Sequence, residues 1–243
     1  DTIKEGVASA DAVTRYRQPL VAAVPANDSR FAELCRVVGS AHMLPDDLVP
    51  GAKTVVSFFL PFAEQIMEAN GMSRTEVAKE WAVAYIETNA LIGQITQQLI
   101  DQLEKRGVRA GAEPATGNFD RDSLVSWWSH KSVAVVAGLG SFGLHQMVIT
   151  DAGCAGRFGS VVLDIELPKR ASEARERCLH FSGGSCGKCV ALCPVKALDQ
   201  GKGLDKQRCW RRCRGVARSY EAIGVAEVCG KCATGPCALK PAA

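Results

Sequence analysis

The most constraining feature of this sequence is the crowding of cysteine near one end. Nine of its eleven cysteines follow residue 177. Among them, Cys186-x2-Cys189-x3-Cys193-Pro194 reproduces the last three ligands of the bacterial ferredoxin run C-x2-C-x2-C-x3-C-P. In that run the fourth cysteine ligates the other of two clusters. The spacing therefore predicts a segment whose thiolates hold iron–sulfur clusters.

A second set of cysteines completes the pattern, with Cys209 followed by Cys229-x2-Cys232-x4-Cys237. Short gaps let successive thiolates wrap one cubane, whereas the x3 gap begins a helix that carries the next thiolate to the neighbouring cluster. The predicted ligands of one [4Fe–4S] cluster are Cys178, Cys186, Cys189 and Cys237, and those of the other are Cys193, Cys209, Cys229 and Cys232. Cys213 is spare or replaces Cys209. The least regular ligand is Cys178, which precedes the run by eight positions instead of three.

Two other chemistries for these thiols are less favoured. A zinc ribbon could use two C-x2-C pairs, Cys186/Cys189 and Cys229/Cys232, but it would leave Cys193-Pro194 and the remaining cysteines unexplained. Disulfides as dense as these are typical of small secreted domains, and a chain of 243 residues rarely needs them.

Charge divides the chain at about the same point as cysteine. Residues 1–168 contain 14 Lys and Arg against 20 Asp and Glu, whereas residues 169–243 contain 15 against 6. Such a basic segment can indicate an anionic partner such as nucleic acid. The pattern KQRCWRRCRGVAR, which interleaves cations with cysteines, instead favours charge compensation for thiolates and sulfides. We predict a cofactor domain over 1–168 and a double-cluster domain over 169–243, with the boundary at Pro168 and the charged run that follows it.

The first 168 residues have the periodicities of a mixed α/β domain. Helical spacing is found over 30–38, 73–106 and about 122–138, and strand patterns over 54–62, 145–150 and 159–167. The pair Ser73 and Glu76 resembles a capping box at the start of the long helix. No run of 18 uncharged apolar residues is present, so no membrane span is expected. The N-terminal residues do not resemble a secretion signal, and a cytoplasmic protein is predicted.

A glycine motif lies between two of these elements. Gly138, Gly140 and Gly143 spell G-x-G-x-x-G in VAVVAGLGSFG. A dinucleotide site would require a helix next, but the following stretch DAGCAGRFGS is rich in glycine. The motif therefore does not indicate nicotinamide binding.

The same stretch resembles a known family. AGLGSFG, followed by MVIT, GRFGSVVLDIELP and the cysteine segment, is similar to the epoxyqueuosine reductase family over about residues 50–237. The resemblance implies a flavin-reductase-like α/β domain that holds cobalamin beside a bacterial-ferredoxin-like module with two [4Fe–4S] clusters, a plan shared with reductive dehalogenases. The cofactor-binding residues that it implies are Gly138, Gly140, Gly143, His145, Arg157 and Ser160.

The family's catalytic acid lies in an Asp-Ser-x-Pro stretch some fourteen residues before the glycine turn. Here Asp122-Ser123 lies sixteen residues before Gly138 and is followed by no proline. Asp122 is the first candidate for a proton donor, Asp120 the second, and His130 an outside alternative. Asp122 could equally be the N-cap of the helix predicted after it.

Two function classes follow. The first is an iron–sulfur oxidoreductase, similar to epoxyqueuosine reductase, that passes low-potential electrons through two clusters to a cobalamin-type cofactor and reduces an unidentified substrate. The alternative is an electron-transfer or corrinoid-reducing protein with no small-molecule substrate of its own. A flavin in place of the corrinoid is a weaker third hypothesis. The expected partners are a low-potential donor of ferredoxin or flavodoxin type and, in addition, a corrinoid protein or a tRNA.

Overall fold

The computed structural model describes residues 2–168 and 175–243. The helices are α1 (Thr2–Ala8), α2 (Arg30–Val37), α3 (Pro45–Leu48), α4 (Glu64–Gly71), α5 (Lys79–Glu104), α6 (His130–Val136), α7 (Leu179–Gly183), α8 (Lys188–Leu192) and α9 (Lys206–Ser219). The strands are β1 (Leu20–Pro25), β2 (Thr54–Pro61), β3 (Ala110–Gly111), β4 (Gly140–Phe142), β5 (Val148–Thr150), β6 (Gly156–Leu163), β7 (Leu198–Asp199) and β8 (Gly203–Leu204). Most of the charged run of the predicted domain boundary, residues 169–174, lies outside the described residues.

A four-stranded antiparallel sheet forms the centre of the first part, in the order β1-β2-β6-β3. Its two long strands are apolar at nearly every position because helices cover both faces. Phe59 and Val162 pack on the side of α6, while Phe58 and Leu60 pack on the side of α5, as the period of two along a strand requires. The predicted mixed α/β class is confirmed, and the smaller sheets are also antiparallel.

The predicted boundaries hold for α2, whereas the later helices begin further along the chain than predicted. The helix predicted over 30–38 is α2. The long helix begins at Lys79 instead of Ser73. The Ser73 hydroxyl does accept from the N–H of Glu76, but this bond lies in a turn that precedes α5. The helix ends three residues before Gly107, whose φ is +77°.

The predicted helix start at Asp122 is wrong. Residues 121–129 form turns and a loop, and the helix begins only at His130, capped by the Ser129 side chain. The Asp120 carboxylate accepts from the N–H and the hydroxyl of Ser123, each at 2.7 Å. Such local side-chain bonds compete with helix formation. Asp122 is therefore not an N-cap.

The cysteine-rich part packs closely on the first part. The loop after β5 pairs with the C-terminal loop, since the N–H groups of Cys154 and Ala155 both donate to the carbonyl of Ala238. Gly153 makes this approach possible: its φ is +78°, and a Cβ there would lie 2.2 Å from the oxygen of Ala238. One apolar cluster combines side chains of both parts, including Phe62, Trp81, Val216 and Ala233. Among the described residues, no helix combines the length and apolar character needed to cross a membrane.

Candidate metal and cofactor site

The first predicted cysteine set lines one small cavity. Its walls include all four members, Cys178, Cys186, Cys189 and Cys237, together with Cys232 of the other set. Burial raises the pKa of the Cys189 thiol to about 11, with further contributions from the neighbouring Cys237, Cys178 and Cys186. Thiolates gathered in this way repel one another in the free protein, whereas a bound metal cluster deprotonates the thiols and stabilises the thiolates.

The second predicted set lines a larger cavity of about 250 Å³. Its walls include Cys193, Cys209, Cys229 and Cys232, and also Cys213. Burial raises the pKa of Cys232, and the nearby Cys209 and Cys229 raise it further. Cys213 lies one turn after Cys209 on α9, and both residues line this cavity. The structure thus leaves both thiols available for the ligand position that the sequence left open.

Helix α8 distributes neighbouring cysteines between the two cavities. Cys189 lies within α8 and lines the smaller cavity, whereas Cys193 follows the last residue of the helix and lines the larger one. Cys232 lines both. The two cavities are therefore adjacent and separated by little more than one short helix.

Side chains of the first part complete the larger cavity. Arg157 lies with its guanidinium carbon 4.4 Å from the centre of the Tyr85 ring, and Lys131 donates to the carbonyl of Gln146 at 2.9 Å. Burial lowers the pKa of both cations. Lys131 is also in the walls of two further cavities, of about 560 and 220 Å³. Two half-buried cations thus face the second cysteine set.

Three donors around this cavity lack hydrogen-bond partners among the described residues. They are Trp81 Nε1, Arg157 Nε and Arg212 Nε, each on a residue of the cavity wall. Buried donors in native proteins are almost always bonded. This set therefore fits a bound group that is rich in acceptor atoms.

Sequence reasoning missed Lys131 and Arg212. A lysine directly before the apolar stretch SVAVVAG could have indicated a buried cation. Arg212 gave no comparable signal, because it is one of several arginines in α9.

The glycine motif shapes a hairpin instead of opening a helix. Gly140 lies in β4, where a Cβ would approach the oxygen of Ile149 to 2.3 Å, and a Cβ on Gly143 would lie 2.8 Å from His145 Cε1. Gly138 has a φ of +83° at the end of α6. The three glycines thus allow the β4–β5 turn to present His145, which lines both cysteine cavities.

His145 contacts a predicted cluster ligand directly. Its Nε2 lies 3.2 Å from Cys237 Sγ and 3.5 Å from Cys154 Sγ, and the two sulfurs are 4.0 Å apart. Donation from Cys154, and then from His145, lowers the pKa of Cys237 to about 5. The three side chains could together hold a metal ion.

Ser160 and His130 belong to a hydrogen-bond chain that lies wholly within the protein. Trp128 Nε1 donates to Ser160 Oγ at 2.9 Å, Ser160 Oγ lies 2.8 Å from His130 Nδ1, and His130 Nε2 lies 3.1 Å from the carbonyl of Pro114. A carbonyl only accepts, so Nε2 carries the proton and Nδ1 accepts from the serine hydroxyl. The hydroxyl of Ser160, predicted to bind a cofactor, is thus engaged on both sides within the protein.

The two candidate acids lie on the exposed loop before α6. Hydrogen bonds from Ser123 lower the pKa of Asp120. The backbone carbonyl of Asp122 accepts from Gln207 Nε2 on α9 at 2.7 Å. Neither residue lines the cavities described above, although their neighbours Phe119 and Leu124 line the one of about 560 Å³.

Comparison with curated proteins identifies relatives of one kind. An epoxyqueuosine reductase of Xanthomonas campestris pv. campestris is 27% identical over 174 residues, which are 70% of this chain and 46% of the relative. The protein of the same name from Bacillus cereus is 26% identical over 171 residues, 68% of this chain and 41% of its own. The chain thus spans less than half the length of these relatives. No family model matches it.

Solved structures agree in fold. An epoxyqueuosine reductase of Bacillus subtilis, with its catalytic aspartate loop swung out of the active site, matches 97% of this chain and 64% of its own with a TM-score of 0.61 at 19% identity. A catabolic reductive dehalogenase in complex with 3-bromo-4-hydroxybenzoic acid matches 91% of this chain and 30% of its own, with a TM-score of 0.57 at 16% identity. The predicted resemblance to epoxyqueuosine reductases is therefore confirmed, in sequence over about 70% of the chain and in fold over nearly all of it.

Proposed function

We propose that this protein is an oxidoreductase of the epoxyqueuosine reductase type, in which two [4Fe–4S] clusters deliver electrons to a cobalamin-type cofactor. Residues 1–168 form its flavin-reductase-like cofactor domain and residues 169–243 its ferredoxin-like double-cluster domain, in the cytoplasm. The observation that carries the proposal is the pair of adjoining cavities, each lined by one predicted cysteine set. The larger cavity is also lined by three donors that have no hydrogen-bond partner within the part of the chain that the structure describes.

The cysteines supply the electron path. One cluster would be held by Cys178, Cys186, Cys189 and Cys237, and the other by Cys193, Cys229, Cys232 and either Cys209 or Cys213. A short helix between the cavities supports transfer between clusters over a small distance. The cations of α9 and the half-buried Lys131 offset the negative charge of thiolates and sulfides.

The first part provides for the cofactor. Arg157 Nε is buried and has no partner among residues 2–168 and 175–243, and an amide or phosphate oxygen of a corrinoid side chain would satisfy it. Trp81 adds an aromatic wall, and Lys131 adds a second cation. A corrinoid, when bound, supplies a cobalt centre that accepts and donates electrons in a way that no side chain can. The similarity in fold to a reductive dehalogenase supports this choice, because the structure of that protein suggests a mechanism for B12-dependent dehalogenation.

A proton must also reach the reduced substrate. Asp122 is proposed as its donor and Asp120 as the alternative, because both lie on the loop beside the cavity of about 560 Å³. The Bacillus subtilis relative has its catalytic aspartate loop swung out of the active site. By analogy, the loop of residues 119–126 would close over the cavity and exclude water when substrate is bound.

The proposed substrate class is a modified tRNA. An epoxyqueuosine reductase solved with an epoxyqueuosine-modified tRNA-Tyr stem loop has a TM-score of 0.54 and 21% identity, matching 79% of this chain and 52% of its own. The exposed cations of α9 would suit a phosphate backbone. A ferredoxin or flavodoxin would donate the electrons.

The second candidate is an electron-transfer protein that reduces a separate corrinoid protein and has no small substrate. The exposure of both Asp120 and Asp122 favours it, since this alternative needs no proton donor at a substrate.

Uptake of cobalamin tests the proposal. The protein, reconstituted anaerobically with iron and sulfide, would be mixed with excess cob(II)alamin and desalted, and the bound cobalt measured with its electron paramagnetic resonance (EPR) spectrum. We expect one cobalamin per chain. Full iron content without cobalamin uptake would contradict the first function and leave the electron-transfer alternative. If the same protein instead takes up FMN stoichiometrically in a parallel mixture, the cofactor is a flavin and not a corrinoid.

A further inference from the structure

Two hydrogen-bond donors of the first part converge on one sulfur of the second. His145 Nε2 lies 3.2 Å from Cys237 Sγ, and the Cys154 thiol lies 4.0 Å from it. The His145 side chain is 4% exposed and Cys154 is fully buried. Water therefore competes little for these bonds, which gain strength in such surroundings.

The backbone determines which ring nitrogen of His145 carries the proton. The N–H of Met147 donates to His145 Nδ1 at 3.1 Å, so Nδ1 is an acceptor. In a neutral imidazole the proton is then on Nε2. The group directed at Cys237 Sγ is therefore an N–H donor.

The ring also packs directly against the turn at Gly143. A Cβ at position 143 would lie 2.8 Å from His145 Cε1 and 3.1 Å from Nδ1. Only glycine at this position accommodates the imidazole where it is. The turn thus fixes the donor on one side, while the pairing of Cys154 N–H with the carbonyl of Cys237 fixes the sulfur on the other.

We propose that His145, assisted by Cys154, is a positioning residue that raises the reduction potential of the cluster ligated through Cys237. This inference rests on the proposed function, since it takes Cys237 as a cluster ligand. Hydrogen bonds to ligand sulfur withdraw electron density and favour the reduced cluster, which carries one more negative charge. Removing the donors therefore lowers the potential of this cluster and leaves that of the other cluster unchanged.

A redox titration followed by EPR tests the proposal on the reconstituted protein. His145→Leu removes the donor, His145→Gln keeps an N–H near the position of Nε2, and Cys154→Ala removes the second donor. We expect the potential of one cluster to fall by about 60 mV in His145→Leu, which is a tenfold change for a one-electron couple. The shift should be smaller in His145→Gln and should have the same sign in Cys154→Ala.

The controls separate this inference from the function on which it rests. Cys35→Ala removes a thiol that contacts the carbonyl of His42 in another part of the fold, and it should leave both potentials unchanged. Equal potentials in wild type, His145→Leu and Cys154→Ala, at full iron content, would overturn the proposal. If His145→Leu fails to assemble, the other two variants decide. Cys237→Ala should lose one EPR signal; retention of both signals and all iron would refute the ligation itself.

Discussion

His130 offers a quantitative test of the hydrogen bonding in the first part of the chain. It was an outside candidate for proton transfer, yet its imidazole is 7% exposed and both ring nitrogens are engaged by neutral partners. Burial, with a smaller contribution from Arg157, lowers its pKa from 6.5 to about 4. We therefore expect His130 to remain neutral throughout the physiological range.

The magnitude follows from the size of this shift. A difference of about 2.5 pKa units corresponds to about 3 kcal/mol against charging the ring in the folded protein. Because the folded pKa lies below the unfolded one, the neutral His130 contributes its full stability above pH 6.5. The free energy of unfolding then decreases as the pH falls towards 4. At pH 5.5 about 3% of the rings would be charged, against about 90% for an unperturbed histidine.

Nuclear magnetic resonance of the ¹⁵N-labelled imidazoles measures this directly. The oxidised, cluster-loaded protein would be titrated from pH 7.5 to 5.5, and His130→Gln would identify the resonances of this ring. We expect Nε2 to remain protonated and Nδ1 to remain an acceptor over the whole range. A titration midpoint near 6.5 would refute the hydrogen-bond chain and restore His130 as an acid for catalysis.

Three further substitutions test the cavity, the hairpin and the contact between the two parts. Arg157→Gln should weaken cobalamin binding about tenfold in equilibrium dialysis, since it removes a charged donor; unchanged affinity would exclude Arg157 from the cofactor site. Gly143→Ala should lower the potential of the same cluster that His145→Leu affects, because its Cβ would displace the His145 ring, and unchanged potentials of both clusters would contradict this. Gly153→Ala should destabilise the protein by at least about 2 kcal/mol in urea unfolding, because alanine would combine a positive φ with a backbone clash against Ala238. The control Gly107→Ala has a similar φ but open space around its Cβ, and it should cost about 1 kcal/mol.

Much of the fold could be predicted because its signals are local. The strand at 54–62 follows from an unbroken apolar run between turn residues, and α2 follows from its helical spacing. The loop before α6 could not be predicted, because a bond from Ser123 to Asp120 overrides a helical pattern.

The sequence predicts the grouping of the cysteines, and each predicted set lines one cavity, but the contacts of the other side chains could not be foreseen. Cysteine spacing suggested two ligand sets before any geometry was known. The reason for Gly143 remained hidden, because it depends on the position of the His145 ring. His145 itself was assigned to a cofactor, but its Nε2 lies 3.2 Å from the sulfur of Cys237. Contacts between distant parts of the chain leave no periodic signal in sequence.

The central claim is that the run of cysteines around α8 serves two clusters, so that Cys189 ligates one cluster and Cys193 ligates the other. Cys189→Ala and Cys193→Ala, a matched pair four residues apart, would be reconstituted anaerobically and the EPR signals of their reduced clusters compared. The account predicts that each variant loses a different signal and keeps the other. Loss of the same signal in both variants would contradict it.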